Sequence, residues 1–250
     1  MNNSITQIDL QALSQVGRVR DHNEDMLSLG GVLIRDAELR FPIIIDEKSQ
    51  FHLLVSDGMG GHEQGERASQ ELLEYLSQCF KEERIKAESI EEDLRTEVKD
   101  FNHKLNNEAL LEQQRLPMGC TLTGVVLSAG NLYVINAGDS RTYRFRNGIL
   151  RQLTQDETVR ALSGDPNDSK ALLNCIGGGS QGNLTVENIT DRILIGDILL
   201  ICSDGLTDMV TDEAIGEILN ESDDPLHELY DTACRNGGYD NISIILAKLD

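Results

Sequence analysis

No stretch of this chain approaches the roughly 18 consecutive apolar residues that a membrane-crossing helix needs, and its longest apolar runs are strand-sized. Membrane insertion is not expected. Positive charge is scarce as well: lysine and arginine number 22 against 43 aspartates and glutamates, for a net charge of −21. A chain so acidic repels nucleic acid and anionic lipid at long range, which argues against tracking either one. Paired cysteines are also missing. Cys79, Cys120, Cys175, Cys202 and Cys234 are odd in number and show no C-x-x-C spacing. Neither a disulfide framework nor a thiolate zinc site is indicated, and all five are expected to be buried thiols. The N-terminus, Met1-Asn2-Asn3-Ser4-Ile5, carries neither a basic leader nor an apolar segment, so the expected location is the cytoplasm.

What the chain has is length enough, at 250 residues, to bury a substantial core, with an ordinary 39% hydrophobic and 26% charged composition. It also sets carboxylates beside small residues in widely separated strings: Asn23-Glu24-Asp25, Asp57-Gly58-Met59-Gly60-Gly61, Asp204-Gly205 and Gly238-Tyr239-Asp240-Asn241. Because these strings span the chain, residues 1–250 are expected to form a single domain. Oxygen-rich clusters suit Mg²⁺ or Mn²⁺, since a small hard dication prefers carboxylate, carbonyl and water to sulfur or imidazole. One Asp-Gly alone is ordinarily a turn. The combination reads differently, because Asp57 and Asp204 each end an apolar run and precede glycine, while Asp240 comes just before the last apolar run. Strand ends converging at one sheet edge would make a metal cleft.

Local patterning supplies a scaffold for that cleft. Phe51 to Ser56 is β-prone and stops at Asp57-Gly58. Residues 63–80 are helical in pattern, with Ala68, Leu72, Leu73, Tyr75 and Leu76 on one side. A second amphipathic helix follows, in which Ile90, Leu94, Val98, Phe101, Leu105 and Ala109 recur at helical spacing. Residues 120–154 change period and read as a meander of four strands, with Arg146-Asn147-Gly148 as a hairpin turn. Residues 156–182 are irregular, carry Gly164-Asp165-Pro166 and Gly177-Gly178-Gly179, and are expected to form a short surface flap. Residues 193–202 read as strand, Thr211 starts a helix with Asp212 and Glu213 in its first turn, Ser222 caps another helix, and residues 241–249 return as strand. A strand-rich middle with flanking helices predicts an α+β layered sandwich.

The chain resembles the metal-dependent protein phosphatase family (PPM), the type 2C serine/threonine phosphatases, in its compact bacterial form. The matching strings are Gly17-Arg18-Val19-Arg20-Asp21-His22-Asn23-Glu24-Asp25, Asp57-Gly58-Met59-Gly60-Gly61-His62, Gly119-Cys120-Thr121-Leu122-Thr123, Gly138-Asp139-Ser140-Arg141, Cys202-Ser203-Asp204-Gly205-Leu206 and Gly237-Gly238-Tyr239-Asp240-Asn241, in family order. Ordered strings of this number are far more specific than any one of them. The resemblance implies a four-layer α-β-β-α sandwich with two central, mainly antiparallel sheets flanked by helices. It implies a serine/threonine protein phosphatase that hydrolyses phosphoserine and phosphothreonine by direct attack of a metal-bridging water or hydroxide. The cofactors would be Mn²⁺ or Mg²⁺, as a pair with a weaker third ion. By the same resemblance, Asp57 bridges two metals, the Gly58 carbonyl ligates one of them, and Asp204 and Asp240 complete the other's protein ligands. Glu24 and Asp25 would act through metal-bound waters, Asp139 with Asp204 would form the third site, and Arg20 would grip the substrate phosphate. Phosphorylated proteins and a serine/threonine kinase are the implied partners of a monomeric enzyme.

Two departures from the family pattern bear on catalysis and substrate choice. Eukaryotic members carry a histidine directly after the Asp-Gly pair, placed to protonate the leaving group; Met59 stands there in this chain, and His62 is the nearest histidine. His62 is a candidate acid; the alternatives are a loop role for His62 or acid catalysis by a metal-bound water. The flap also lacks the acidic helix that usually precedes the glycine-rich segment. The main rival reading is a catalytically silent module of the same fold that binds proteins in regulation. Such modules usually lose their ligating carboxylates, whereas Asp57, Asp204, Asp240 and Arg20 are all present. A cysteine-dependent phosphatase needs C-x5-R, but the positions in question hold Ile85, Val126, Gln181, Asp208 and Asp240. Gly177 to Gly182 matches G-x-G-x-x-G, yet strand-like Asn183-Leu184-Thr185-Val186 follows where a dinucleotide site needs a helix.

Overall fold

The computed structural model describes residues 5–46, 50–61, 63–111 and 117–250. The first half runs β1 (Gln7–Gln15), β2 (Met26–Leu29), β3 (Val32–Ile34), β4 (Ala37–Ile44), β5 (Gln50–Ser56), β6 (Gly58–Met59), α1 (Glu63–Lys81) and α2 (Ile90–Leu111). Next come β7 (Gly119–Cys120), β8 (Leu122–Ser128), β9 (Asn131–Ala137), β10 (Arg141–Arg146), β11 (Ile149–Gln152) and α3 (Val159–Ser163). The chain closes with β12 (Ile176–Gly177), β13 (Thr185–Asn188), β14 (Ile198–Cys202), α4 (Asp204–Thr207), α5 (Asp212–Glu221), α6 (Pro225–Arg235) and β15 (Ile242–Leu249). None of the described helices is long and apolar enough to cross a membrane.

Two six-stranded sheets form the centre, ordered β11-β10-β14-β15-β1-β4 and β13-β9-β8-β5-β2-β3, and every strand pair in them is antiparallel. Three apolar clusters fill the gaps between layers. Leu72, Leu76, Leu94 and Phe101 of α1 and α2 pack on Leu54, Leu122 and Ile135 of the second sheet. Leu10, Leu27, Val55, Val125, Ile201 and Ile245 meet between the sheets. Tyr143, Leu200, Ile244 and Leu246 of the first sheet pack on Ile215, Leu226 and Leu229 of α5 and α6. The result is the expected α-β-β-α sandwich. Each fully buried leucine or isoleucine contributes about 1.5–3 kcal/mol relative to exposure, so these clusters are the main source of stability.

Both long helices and the strand leading to Asp57 lie where hydrophobic periodicity places them. Thr211 caps α5 as expected, accepting a hydrogen bond from the Ala214 N–H at 3.3 Å. Other expectations need correction. Residues 120–154 are not one meander: β8 and β9 pair in the second sheet, whereas β10 and β11 belong to the first. The chain crosses between sheets at Gly138 to Ser140. Residues 193–197 are not strand, because Thr190–Arg192 form a 3-10 turn and β14 starts only at Ile198. Ser222 ends α5, and Asp224 with Pro225 in the first turn starts α6. Cys234 is partly exposed, and the other four thiols are buried.

The flap is less of a surface feature than its composition suggests. Val159–Ser163 form a short helix, capped by Thr158 and ended by Gly164 in the left-handed conformation at φ 72°. Asn174, Cys175 and Ile176 are buried, and β12 pairs with β7, which pairs in turn with β6. The three-stranded sheet β12-β7-β6 therefore roots the flap in the same strand that begins with Gly58.

Candidate metal centre

One end of the sandwich collects the carboxylates because of how the antiparallel strands run. There β5 ends before Asp57, β14 ends before Asp204, β2 begins after Asp25, and β15 begins just after Asp240. The crossing between β9 and β10 places Asp139 at the same end. A cleft of about 340 Å³ results, lined by Arg20, Glu24, Asp57, Gly58, Asp139, Asp204 and Asp240, together with Lys170 and Leu172 of the flap. A larger cavity of about 600 Å³ opens elsewhere, beside Val134, Leu162 and Leu173. Chemistry rather than size singles out the smaller one.

Each carboxylate is held by neighbours specific to its place. Asp57 N–H donates to Thr121 Oγ1 at 3.0 Å, Thr121 N–H returns to Asp57 O at 2.8 Å, and Thr121 Oγ1 lies 2.7 Å from Ser140 Oγ, next to Asp139. Asn241 ties the N-terminal loop to the C-terminal strand: its Oδ1 accepts from the Glu24 N–H at 2.8 Å, and its Nδ2 donates to His22 O and Val16 O at 2.9 and 3.1 Å. Ser203 Oγ donates to Asp25 Oδ2 at 2.7 Å. Glycine at 58 is required by crowding. A Cβ there would lie 2.1 Å from Gly65 O and 2.7 Å from Glu24 O, so any side chain would push α1 off the cleft floor.

Electrostatically the cleft is short of cations. Asp25 is fully buried, while Asp57, Asp139 and Asp204 keep part of their surface open to the cleft. Burial first and neighbouring carboxylates second push Asp25 and Asp139 up to about 7, Asp204 up to about 6, and Asp57 well above the ordinary aspartate value, with hydrogen bonds from Ser203 and Ser243 partly offsetting this at Asp25. Asp25 Oδ1 and Asp204 Oδ1 are buried and accept no hydrogen bond. Arg20 Nη2 donates to Asp240 Oδ2 at 2.7 Å, and that bond chiefly raises the guanidinium's pKa. Among the described residues, no set of three His, Cys, Asp or Glu side chains stands close enough to grip an ion as placed. The donor set nevertheless fits a hard dication: it is all oxygen, it includes buried acceptors without donors, and it is destabilised by its own charge. The thiols play no such part, since burial pushes Cys120 and Cys79 up to about 12 and Cys175 up to about 11.

The structure thus brings together Arg20, Glu24, Asp25, Asp57, Gly58, Asp139, Asp204 and Asp240. His62 lies outside the described residues. Sequence reasoning assigned no role to Thr121, Ser203 and Asn241, although each belongs to a matching string and its hydroxyl or amide could have been recognised as a brace. Lys170 belongs to no string at all.

Fold and site together define a phosphatase architecture in which two antiparallel sheets present carboxylates at one end. The chain belongs to the protein phosphatase 2C family, whose model matches residues 35–236. It is 35% identical over 251 residues to the serine/threonine phosphatase stp of Listeria monocytogenes, covering 94% of this chain and 93% of that protein. It is 31% identical over 252 residues to the serine/threonine protein phosphatase PstP of Mycobacterium tuberculosis, covering 95% of this chain and 44% of PstP. The crystal structure of the PstP catalytic domain in complex with 2 manganese ions superposes with a TM-score of 0.74 at 29% identity, over 98% of this chain and 99% of that one. The S. agalactiae serine/threonine phosphatase shares the fold, with a TM-score of 0.80 at 23% identity over 97% of this chain and 100% of that one. The protein is a metal-dependent serine/threonine protein phosphatase, and phosphoproteins are its substrates.

Proposed function

We propose that residues 1–250 act as one catalytic domain in which Asp57, the Gly58 carbonyl, Asp204 and Asp240 hold two Mn²⁺ or Mg²⁺ ions. Glu24 and Asp25 would act through water bound to that pair, and Asp139 with Asp204 would take a weaker third ion. When bound, the dications make water nucleophilic at neutral pH and offset the charge that builds on phosphorus. The chain's own residues do the rest. Arg20, which pairs with Asp240 in this structure, offers its planar fork to the phosphate oxygens of the substrate, a paired contact that lysine cannot reproduce. Thr121 and Ser203 keep Asp57 and Asp25 in place, so that the acceptors are already oriented when substrate arrives. Met59 cannot donate a proton, so the leaving serine or threonine oxygen takes its proton from water or from His62. The enzyme works as a cytoplasmic monomer opposite a serine/threonine kinase.

The observation that carries this reading is the buried Asp204 Oδ1, unpartnered in a cleft where carboxylates outnumber cations. The deciding experiment is turnover of a phosphoserine peptide by metal-stripped protein, with and without Mn²⁺, in wild type and Asp240→Ala. Activity that returns with Mn²⁺ in wild type alone supports the assignment. Full turnover in excess chelator would refute it, and Mn²⁺ binding without any turnover would favour the silent-module reading.

A further inference from the structure

The flap carries two side chains into the cleft that belong to none of the motifs, apolar Leu172 and cationic Lys170. Lys170 lies on the returning half of the flap, where Val159 N–H donates to Ala171 O at 3.0 Å, Arg160 N–H to Ser169 O at 2.9 Å and Leu173 N–H to Glu157 O at 2.7 Å. These bonds fasten residues 169–173 against residues 157–160. The Lys170 ammonium pairs with Asp208, at the C-terminal end of α4 and one turn beyond Asp204. Lys170 also lines the cleft beside Asp139 and Asp204. Its charge favours the ionised form of Asp204, while Asp208 and Asp204 both disfavour the ionised form of Asp139. The Asp139–Asp204 corner therefore receives positive charge from a side chain mounted on the flap.

We propose that Lys170 is a tethered stand-in for the third cation, so that its ammonium and a divalent ion compete for the Asp139–Asp204 corner. Filling the corner with metal displaces Lys170 and loosens the flap; seating Lys170 lowers the corner's affinity for metal. The inference rests on the metal reading of Asp139 and Asp204 given above. The exchange is physically accessible. The pair is half exposed, at 45% for Lys170 and 33% for Asp208, and exposed pairs of this kind are held weakly. A dication brings twice the charge of an ammonium and needs no side chain to be ordered, so it prevails once its concentration is high enough. Flap position and third-ion occupancy then become two readings of one equilibrium, and by linkage each must shift the other.

The test uses Lys170→Met, which keeps the apolar stem and removes the charge, and Lys170→Arg, which keeps the charge. Mn²⁺ is titrated into metal-free protein by calorimetry, with free Mn²⁺ followed by electron paramagnetic resonance. Lys170→Met should tighten the weakest site about tenfold, the scale of one nearby charge removed at a partly exposed site. The tighter sites should stay unchanged, and Lys170→Arg should bind like wild type. Limited proteolysis gives a readout independent of activity. Cleavage within residues 163–170 should accelerate in wild type over the Mn²⁺ range that fills the weakest site, and should lose that dependence in Asp139→Asn. Unchanged weak-site affinity in Lys170→Met, with the tighter sites intact, would overturn the competition and leave the metal centre standing. Failure of the wild type to bind Mn²⁺ at all would overturn the metal reading beneath it.

Discussion

Acidic side chains are used in opposite ways on the outer face of the sandwich and in the cleft. Between β4 and α6, Arg40 donates to Glu38 at 2.6 Å and to Asp224 at 2.8 Å, while His227 lies 2.7 Å from Asp224 and 2.8 Å from Glu38. Slight burial works against ionisation there, but the hydrogen bonds from Arg40 and His227 prevail and hold both carboxyls below their ordinary values. In the cleft, burial and mutual repulsion lift Asp25, Asp57, Asp139 and Asp204 instead. A paired cluster in solvent is complete as it stands and adds a little stability. An unpaired cluster out of solvent stores unfavourable energy that a bound cation can release, which is how a binding site differs from a surface network with the same residue types.

The comparison breaks most visibly at Asp57. Replacing it with Ala should lower kcat on a phosphopeptide by more than about a hundredfold, because even outer partners of a metal site typically cost 10–100-fold. Stopped assays across a Mn²⁺ series would check it, and activity within tenfold of wild type at saturating Mn²⁺ would remove Asp57 from the centre. Next in size is Arg20→Ala. Loss of one charge-assisted contact to phosphate should cost about 1.5–3 kcal/mol in kcat/KM, with calorimetric Mn²⁺ affinity nearly intact. Unaltered kcat/KM would leave Arg20 as only the partner of Asp240.

Stability against pH sharpens the contrast further. Asp25 and Asp139 titrate at about 7 and Asp204 at about 6 when folded, against 3.8 for the ordinary aspartate. Because their folded values are raised, the folded state binds more protons, so their contribution is fully present below pH 3.8 and is lost as pH rises toward 7. Metal-free protein should therefore lose melting temperature between pH 5 and pH 7 by about 2–4 °C for each kcal/mol involved. Saturating Mn²⁺ should flatten that slope, since bound dications keep the carboxylates ionised. A slope unaffected by Mn²⁺ would contradict the cation-deficient reading.

The smallest effect belongs to the outer cluster. Arg40→Ala should destabilise by about 0.2–1 kcal/mol, less in high salt, and leave turnover unchanged. His227 is held above its ordinary 6.5, chiefly by its hydrogen bond to Asp224. Its contribution is therefore present below pH 6.5 and fades as pH passes the folded value, a window above that of the cleft. Salt-dependent melting of wild type and Arg40→Ala would measure it.

Much of this molecule is already determined by sequence. The stripes on α1 and α2 fix both helices because burial of one face requires apolar residues at helical spacing. Asp57, Asp204 and Asp240 are legible for a related reason, since Asp57 and Asp204 each end an apolar run and precede glycine, Asp240 comes just before the last apolar run, and the ordered strings tie them to one family. Tertiary structure alone decided which sheet each strand joined. An alternating pattern marks a strand without naming its partner, so β8-β9 and β10-β11 look continuous in sequence although the chain changes sheets at Asp139. The bracing by Thr121, Ser203 and Asn241, the rooting of the flap beside Gly58, and the approach of Lys170 to the carboxylates all link residues far apart in the chain. The cleft's excess of negative charge is likewise a sum over several strand ends, and it exists only once folding has removed their water.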